Sequence, residues 1–588
     1  MNAPIIDTSV SSAKLARDVR GQNFFEIDRS LQSLLKIYCP DPLREHMWPH
    51  WQRLGEVAGG SLDELADIAE RHPPKLHYRD RFGRDQEWIE YHPAYRDMER
   101  VAFTDYGLHM MSHRPGVLGW PETVPAIAKY AFTYLFVQAE FGLMCPVSLT
   151  DTGLAMLLKF GDAGIQENFA NRIAVQDADT MLRCSQFMTE KAGGSDVGLV
   201  ETVARQEDGG WRLYGEKWFC SNTDADVALL LARPEGRGAG TRGLGLFVMP
   251  KTLPDGSRNN YRIMRLKDKL GTNSMASGEI VMEGAQAWVI GDVEDGIHQM
   301  MAQVNLSRLS HGVRAAALMR RCLNEALVAA QSRTAFGQQV ADMPLAQRQL
   351  MKMMVPTEQS LSMYAYAAQQ MDAAKAGDKA AETRLRIVTP LYKFRACRDN
   401  PGVATAAMEM RGGNGYIEDF VNPRLIRDSQ IGLLWEGTSN INGLDVLTRA
   451  VAKVGAHTAL AADIGERLAT SNALPPALRD AAGDCLDRAT AMADEVARRG
   501  DETQARRVSS SLYHSVTASL MAWEGATLGS RGDDARRLLL ARMVIDQRLK
   551  PSDPLATEDG EFNRAASARL LDASPVTLAE ATDLLMLS

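Results

Sequence analysis

The sequence predicts an α+β multidomain chain in which a β-rich middle region separates two helical ones. Three observations carry this expectation. From about Leu31 to Phe160, apolar residues fall at three- and four-residue steps, as in LQSLLKIY, SLDELADIAERH and AIAKYAFTYLFVQAEFGLM, with His72 and Pro73-Pro74 as an interruption. Between about Thr189 and Ile290 the texture changes to short β-rich runs (LVETVARQ, WRLYGEKWF, VALLLARP, LGLFVMP, GEIVMEG) separated by Gly, Pro, Asn and Asp, which read as antiparallel strands and turns. Helical spacing returns at Gly296, through RAAALMRRCLNEALVAAQSRTAF and LAQRQLMKMMVPTEQSLSMYAYAAQQMDAAKAG. It continues into a tail from about Gly455 to Ser588, divided at Pro475-Pro476 and at Pro551-Ser552-Asp553-Pro554.

A chain of 588 residues is too long for one core. The changes of texture place the domains at 1–180, 181–295, 296–452 and 453–588. Hydrophobic content of 45% and charged content of 24% exclude a disordered chain, and no apolar run approaches the ~20 residues of a membrane span. The N-terminus lacks a basic stretch followed by an apolar one, so no secretion signal is expected. The seven cysteines are scattered and never spaced as CxxC. They read as reduced packing residues of a cytoplasmic protein. His298 and His311 show no paired metal spacing, and no metal is expected. A net charge of −8 gives no global attraction to nucleic acid or anionic membrane.

Six motifs carry chemistry. In Leu434-Trp435-Glu436-Gly437-Thr438-Ser439-Asn440 a carboxylate follows an aromatic residue. An apolar wall raises a carboxylate's pKa toward neutrality, which suits a general base. Alone, Glu436 reads equally well as a solvated helix-start residue. In Met188-Thr189-Glu190-Lys191-Ala192-Gly193-Gly194-Ser195-Asp196, paired glycines let backbone N–H groups approach a ligand, and the hydroxyls of Thr189 and Ser195 are small donors. Gly215-Glu216-Lys217-Trp218-Phe219-Cys220-Ser221-Asn222 is an amphipathic strand with two aromatic residues. Arg333, in Arg333-Thr334-Ala335-Phe336-Gly337, reads by itself as a solvated arginine near a helix end, and Gln347 follows. Three glycines within Gly412-Gly413-Asn414-Gly415 must break a helix. Asn305-Leu306-Ser307-Arg308 puts polar groups on a helix.

Taken in this order, the motifs resemble those of the acyl-CoA dehydrogenase family over about residues 100–450. The resemblance implies an N-terminal helical domain, a middle β-barrel domain and a C-terminal four-helix bundle. The additional N-terminal segment and the tail are similar to the larger, AidB-like branch, and the tail then forms an extra helical domain. FAD is the implied cofactor. Met188, Thr189, Gly194 and Ser195 correspond to the family's flavin loop, with Ser195 also reaching substrate; Lys191 departs from the proline common there. Phe219 takes the place of the aromatic residue against the flavin, and Ser221 that of the hydroxyl on N5. Arg333 and Gln347 correspond to residues that reach the FAD of a neighbouring subunit, with Phe336 a cofactor-binding residue of the same stretch, which implies a homo-oligomer, commonly a dimer of dimers. Gly412 and Gly413 fall at the ADP portion. Thr438 and Asn440 serve the same cofactor, Asn440 being shorter than the usual glutamine. Asn305 and Arg308 fall among the contacts to acyl-CoA, and Arg308 alternatively orients Glu436.

The implied reaction is α,β-dehydrogenation of an acyl-CoA thioester to a trans-2-enoyl-CoA. Glu436 removes the α-proton, the β-hydride passes to flavin N5, and the backbone N–H of Glu436 helps to hold the thioester oxygen. Electron-transfer flavoprotein is the implied electron acceptor. The alternative within the same branch is an AidB-like, DNA-associated flavoprotein of the alkylation response with weak dehydrogenase activity. DNA binding needs a basic surface, and the tail offers Arg498-Arg499, Arg506-Arg507 and Arg536-Arg537. Yet residues 455–588 hold 15 Lys and Arg against 20 Asp and Glu, which disfavours a nucleic-acid partner.

Overall fold

The computed structural model describes residues 15–551, 553–555 and 560–587. Residues 1–14, which make up most of the stretch searched for a leader, lie outside the described residues, as does Ser552 of the second tail divider. The chain divides into two compact units. A mixed unit comprises Pro42–Arg314 and Leu434–Ile441; a helical unit comprises Met1–Asp41, Ala315–Leu433 and Asn442–Ser588.

In the mixed unit, the helices Ala126–Ala139 and Met144–Phe160 are apolar around most of their circumference. Every residue of the first is buried, as a helix without a polar face must be. The region expected to be helical from Leu31 to Phe160 also contains a β-hairpin, β1 (Lys75–Arg79) with β2 (Asp85–Glu90), paired antiparallel. Its charged, loosely alternating sequence hid it, and its stability comes from docking. Ile89 enters the β-core, and Glu87, buried at φ +45°, accepts from the Ile263 amide at 2.7 Å and from Arg258 Nη2 at 2.6 Å.

The barrel follows, with strands β3 (Cys184–Phe187), β4 (Val203–Glu207), β5 (Gly210–Ser221), β6 (Val227–Pro234), β7 (Gly245–Pro250), β8 (Tyr261–Leu266) and β9 (Ser277–Val289). Strand β6 pairs with β4 and β7, β7 with β9, β9 with β5, and β5 with β4, which closes the ring. Strands β3 and β8 extend it beside β6 and β9. The expectation of purely antiparallel strands is corrected here, because β3–β6 and β4–β6 run parallel. Chain order conceals such crossovers, since β6 is reached from β3 only after β4 and β5 have paired with one another. The enclosed core includes Phe187, Leu213, Cys220, Leu230, Phe247, Ile263, Ile280 and Met282.

The helical unit is built on Pro344–Lys375 and Lys379–Arg411, joined with Arg29–Tyr38 and with the tail helices Ala456–Thr470, Pro476–Arg499, Ala505–Ser530 and Arg537–Val544. Pro476 stands in the first turn of its helix, where a missing N–H costs nothing, so the Pro475-Pro476 divider starts a helix. Charges buried between these helices are matched. Arg537 donates from Nη1 to Glu358 Oε2 and from Nε to Glu524 Oε2, both at 2.7 Å. Arg320 pairs with Asp28 at 3.1 Å and also with Glu358. The hydroxyls of Ser30 and Tyr38 donate to Glu358 and Glu524 at 2.9 and 2.8 Å. Among the described residues no helix is long and apolar enough to cross a membrane.

Burial works to raise the Glu358 pKa, but Arg320 and Arg537 overcome it and hold the carboxyl at about 2, against an ordinary 4.5. A depressed carboxyl stabilises the fold above its unfolded value, and the contribution is lost as pH falls from about 4.5 through 2. The shift corresponds to an upper bound of roughly 3–4 kcal/mol. Glu358→Gln should therefore lower the thermal midpoint markedly at pH 7, and the gap to wild type should narrow in scans at pH 3. A gap independent of pH would contradict this account.

Candidate active site

Glu436 lies in the turn before the helix Ser439–Leu444, at φ +54°, in the left-handed region that a non-glycine residue rarely occupies. Gly437 follows at φ +92°. Two successive residues of the helix Gly296–Ser332 hold it. The Ser307 hydroxyl donates to Glu436 Oε1 at 2.9 Å, and Arg308 Nε donates to the Glu436 main-chain oxygen at 3.0 Å. Arg308 is buried and also donates to Asn305 Oδ1 at 3.3 Å. Of the two roles expected for Arg308, orienting Glu436 is the one visible in this geometry.

Trp435 was expected to wall off the carboxylate. Its ring stacks on Phe141, centroids 6.5 Å apart and planes 14° apart, and meets the edge of His311 at 5.4 Å. The buried Arg314 lies over both Phe141 and Trp435, at 5.8 and 6.0 Å. Glu436 itself is half-buried. Trp435 thus anchors the turn by packing, while hydrogen bonds orient the carboxylate. Nearby, burial foremost pushes the Cys145 thiol up, against the opposing charges of Arg314 and Lys269 and with Glu436 adding to the effect.

The two motifs of the middle domain are joined. The Trp218 amide donates to the Thr189 carbonyl at 2.8 Å. Inside the barrel wall, Lys217 Nζ meets Glu190 Oε1 at 2.5 Å, with both side chains almost fully buried. Glu190 also accepts from the Glu201 amide at 2.6 Å and the Thr202 hydroxyl at 2.5 Å. Burial opposes ionisation of Glu190, yet Lys217 and these donors hold its carboxyl below the ordinary range. Met188 and Thr189 are half-buried, Gly194 and Ser195 exposed, and a Cβ on Gly194 would stand 3.2 Å from Thr189 Cγ2. Phe219 is exposed, and the Ser221 hydroxyl lies 3.5 Å from that of Ser277. The lysine in the proline position, Lys191, is exposed and pairs with Glu216 at 2.5 Å. Thr438 is half-buried and Asn440 exposed.

The helical unit carries the remaining residues. The helix Lys379–Arg411 ends at Gly412, φ +74°, where the chain tightens into the turn Gly412–Tyr416. A Cβ on Gly412 would stand 3.2 Å from Arg333 Nη1, so the guanidinium and the glycine turn are together. Gly413 is exposed, with open space where its side chain would be. Phe336, at φ +51°, is 97% exposed, and Gln347 is half-buried in the first turn of Pro344–Lys375. Residues passed over in the sequence are Glu190, Lys217 and Ser307. The first two are opposite charges inside neighbouring motifs, and the third sits between Asn305 and Arg308; these were the available signals.

A closed barrel preceded and followed by helical segments, with a strained glutamate held from a helix, is the architecture of the acyl-CoA dehydrogenase fold. The chain belongs to the acyl-CoA dehydrogenase family, in its AidB-like branch with a C-terminal extension. It matches the AidB N-terminal domain over residues 15–180, the acyl-CoA dehydrogenase middle domain over 185–285 and the C-terminal domain over 294–451. It is 32% identical to the putative acyl-CoA dehydrogenase AidB of Escherichia coli, covering 70% of this chain and 74% of that one. It is 31% identical to acyl-CoA dehydrogenase family member 11 of Caenorhabditis elegans, covering 72% and 69%. The crystal structure of C. elegans ACDH-11 in complex with C11-CoA superposes with a TM-score of 0.85 at 25% identity, over 97% of this chain and 98% of that one.

Replacing Lys217 by Met leaves the Glu190 carboxylate buried without its counter-charge, a change that costs about 3–5 kcal/mol. Hydrogen exchange should show residues 188–199 losing protection in the Lys217→Met variant well before the rest of the barrel. Uniform exchange across the barrel would mean that the pair does not pin this loop.

Proposed function

We propose that this protein is an FAD-dependent acyl-CoA dehydrogenase that converts an acyl-CoA thioester to the trans-2-enoyl-CoA. The observation that carries the reading is the conformation of Glu436: a carboxylate in a left-handed turn, gripped at both its main chain and its side chain by one helix. Strain of this kind costs about 1–3 kcal/mol and persists where surroundings impose it, commonly at functional sites. Glu436 is the base that takes the α-proton. Its main-chain N–H serves as a donor to the thioester oxygen, so deprotonation and enolate stabilisation fall to one residue. Arg308 keeps that main chain in place through the carbonyl. Ser195, Asn305 and Arg308 are the proposed contacts to the acyl-CoA.

The residues present fit FAD. An exposed aromatic face at Phe219 suits a flat ring system, and Thr189, Ser195 and Ser221 supply hydroxyl donors. The guanidinium of Arg333 beside the glycine turn suits a pyrophosphate. Met188, Thr189, Gly194, Ser195, Phe219, Ser221, Thr438 and Asn440 would hold the cofactor from the mixed unit. Arg333, Phe336, Gln347, Gly412 and Gly413 would do so from the helical unit, Arg333 and Gln347 toward a cofactor of a neighbouring subunit. FAD, when bound, supplies the acceptor for the hydride that leaves the β-carbon. The nearly complete exposure of Phe336 supports a homo-oligomer, with a dimer of dimers as the proposed assembly. Electron-transfer flavoprotein is the proposed electron acceptor, and the cytoplasm the proposed compartment.

The DNA-associated alternative depends on free arginines in the tail. Arg498 and Arg499 both pair with Glu495, Arg536 with Asp534 at 2.5 Å, and Arg537 is buried between two carboxylates, which leaves Arg506-Arg507 as the exposed pair without a carboxylate partner among the described residues. Arginines neutralised in place contribute little to phosphate binding, which favours the enzyme.

Acyl-CoAs of graded chain length should bleach the visible flavin absorbance of the purified protein, and Glu436→Gln should slow bleaching by about 10²–10⁴-fold. Equal rates in variant and wild type would remove Glu436 from the role of base. Duplex DNA titrated at low salt should leave the protein's gel mobility unchanged; a salt-sensitive shift would favour the alternative.

A further inference from the structure

The helix Gly296–Ser332 presents consecutive residues to the same glutamate, and they act on different atoms. Arg308 grips the Glu436 main-chain oxygen, whereas the Ser307 hydroxyl donates to the carboxylate itself at 2.9 Å. Ser307 is buried, 2% exposed, although Glu436 is only half-buried. Its position is set from behind: the His311 ring meets the Ser307 carbonyl through Nδ1 at 2.9 Å, and the Arg314 guanidinium approaches that ring at 3.0 Å from Nε2. The same His311 packs against Trp435, the neighbour of Glu436 in the chain.

We propose that Ser307 is a positioning residue for Glu436, its hydroxyl holding the carboxylate ionised and in one rotamer before substrate arrives. This inference rests on the reading of Glu436 as the base. A donor aimed at a carboxylate stabilises the charged form, so the hydroxyl lowers the pH at which Glu436 becomes competent to accept a proton. A hydroxyl also accepts hydrogen bonds. When Glu436 has taken the α-proton it becomes a donor, and Ser307 can turn its own proton away and accept from it. A single side chain thus serves both protonation states, a role that an amide N–H, able only to donate, cannot fill. Alanine removes this function and threonine keeps it.

The sign of the effect follows. Removing the hydroxyl raises the Glu436 pKa, by about one unit for the loss of a hydrogen bond to a charged group. The titration can be read without turnover, from the carboxylate stretch in infrared difference spectra. Wild type minus Glu436→Gln isolates the Glu436 band, and Ser307→Ala minus Ser307→Ala/Glu436→Gln isolates it in the variant. The midpoint should rise by about one pH unit in Ser307→Ala and stay near wild type in Ser307→Thr. An unchanged or lowered midpoint in Ser307→Ala overturns the proposal.

Flavin bleaching by acyl-CoA gives the second reading. Its acid limb should move upward with the infrared midpoint in Ser307→Ala, so the loss of rate, close to tenfold below the midpoint, shrinks as pH rises. A loss of the same size at every pH marks a merely structural serine and also overturns the proposal. If the wild type itself bleaches with no acyl-CoA, the dehydrogenase reading fails, while the infrared midpoints still decide whether Ser307 governs Glu436.

Discussion

The helical unit depends on one buried ionic cluster. Asp28, Arg320, Glu358, Glu524 and Arg537 are nearly inaccessible, yet they come from the N-terminal segment, the first half of the bundle and the tail. Each charge is far too costly to bury alone, and each is tolerable only when the others are in place. Net stability is therefore the lesser consequence of the cluster, because an apolar cluster of the same volume could match it. Its greater consequence is register. Glu358 is satisfied only if Arg320, Ser30 and Arg537 arrive together, so the tail helices dock on Pro344–Lys375 in one way. Tyr38 adds a further check by donating to Glu524. The tail is thereby an integral part of the unit, and several of its arginines are committed to carboxylates of their own chain.

The mixed unit uses the same physics at smaller scale. Glu190 belongs to the loop motif and Lys217 to the strand motif, and their pairing inside the barrel wall brings the two segments together. The loop can then remain exposed at Gly194 and Ser195 without losing its attachment, because the anchor lies beneath it. Glu87 does the equivalent for the hairpin, accepting from Ile263 and Arg258 of the barrel. In each case a buried carboxylate fixes a segment whose own sequence holds little apolar surface.

This explains what was legible in the sequence. Helices such as Ala126–Ala139 and Pro344–Lys375 were visible because their apolar residues recur within the segment itself. The break at Gly412 was visible because three glycines in four positions leave a helix no alternative. The hairpin Lys75–Glu90 was not, since what holds it are partners more than 170 positions away. The parallel pairing of β6 with β3 and β4 was hidden for a related reason, as chain order does not reveal which strands a closed ring brings side by side. At the candidate site, Glu436 stood out from its neighbours in sequence, but Ser307 did not, because its link to Glu436 is a hydrogen bond across 129 positions.

The geometry around Glu436 shows why local propensity had to be overridden there. Glutamate in a left-handed turn is unfavourable, and the glycine that would suit the position follows at 437 instead. A helical or extended backbone at Glu436 would relieve the strain, but it would swing the carboxylate off Ser307 and the carbonyl off Arg308. The hydrogen bonds and the packed Trp435 together outweigh a strain of about 1–3 kcal/mol, and the result is a carboxylate whose direction is set in advance. In the proposed role of Glu436 as the base, such advance placement matters, because no part of the barrier is then spent on orienting the carboxylate. On that proposal the strain is a local cost of function, carried by a fold that is otherwise consistent from sequence to packing.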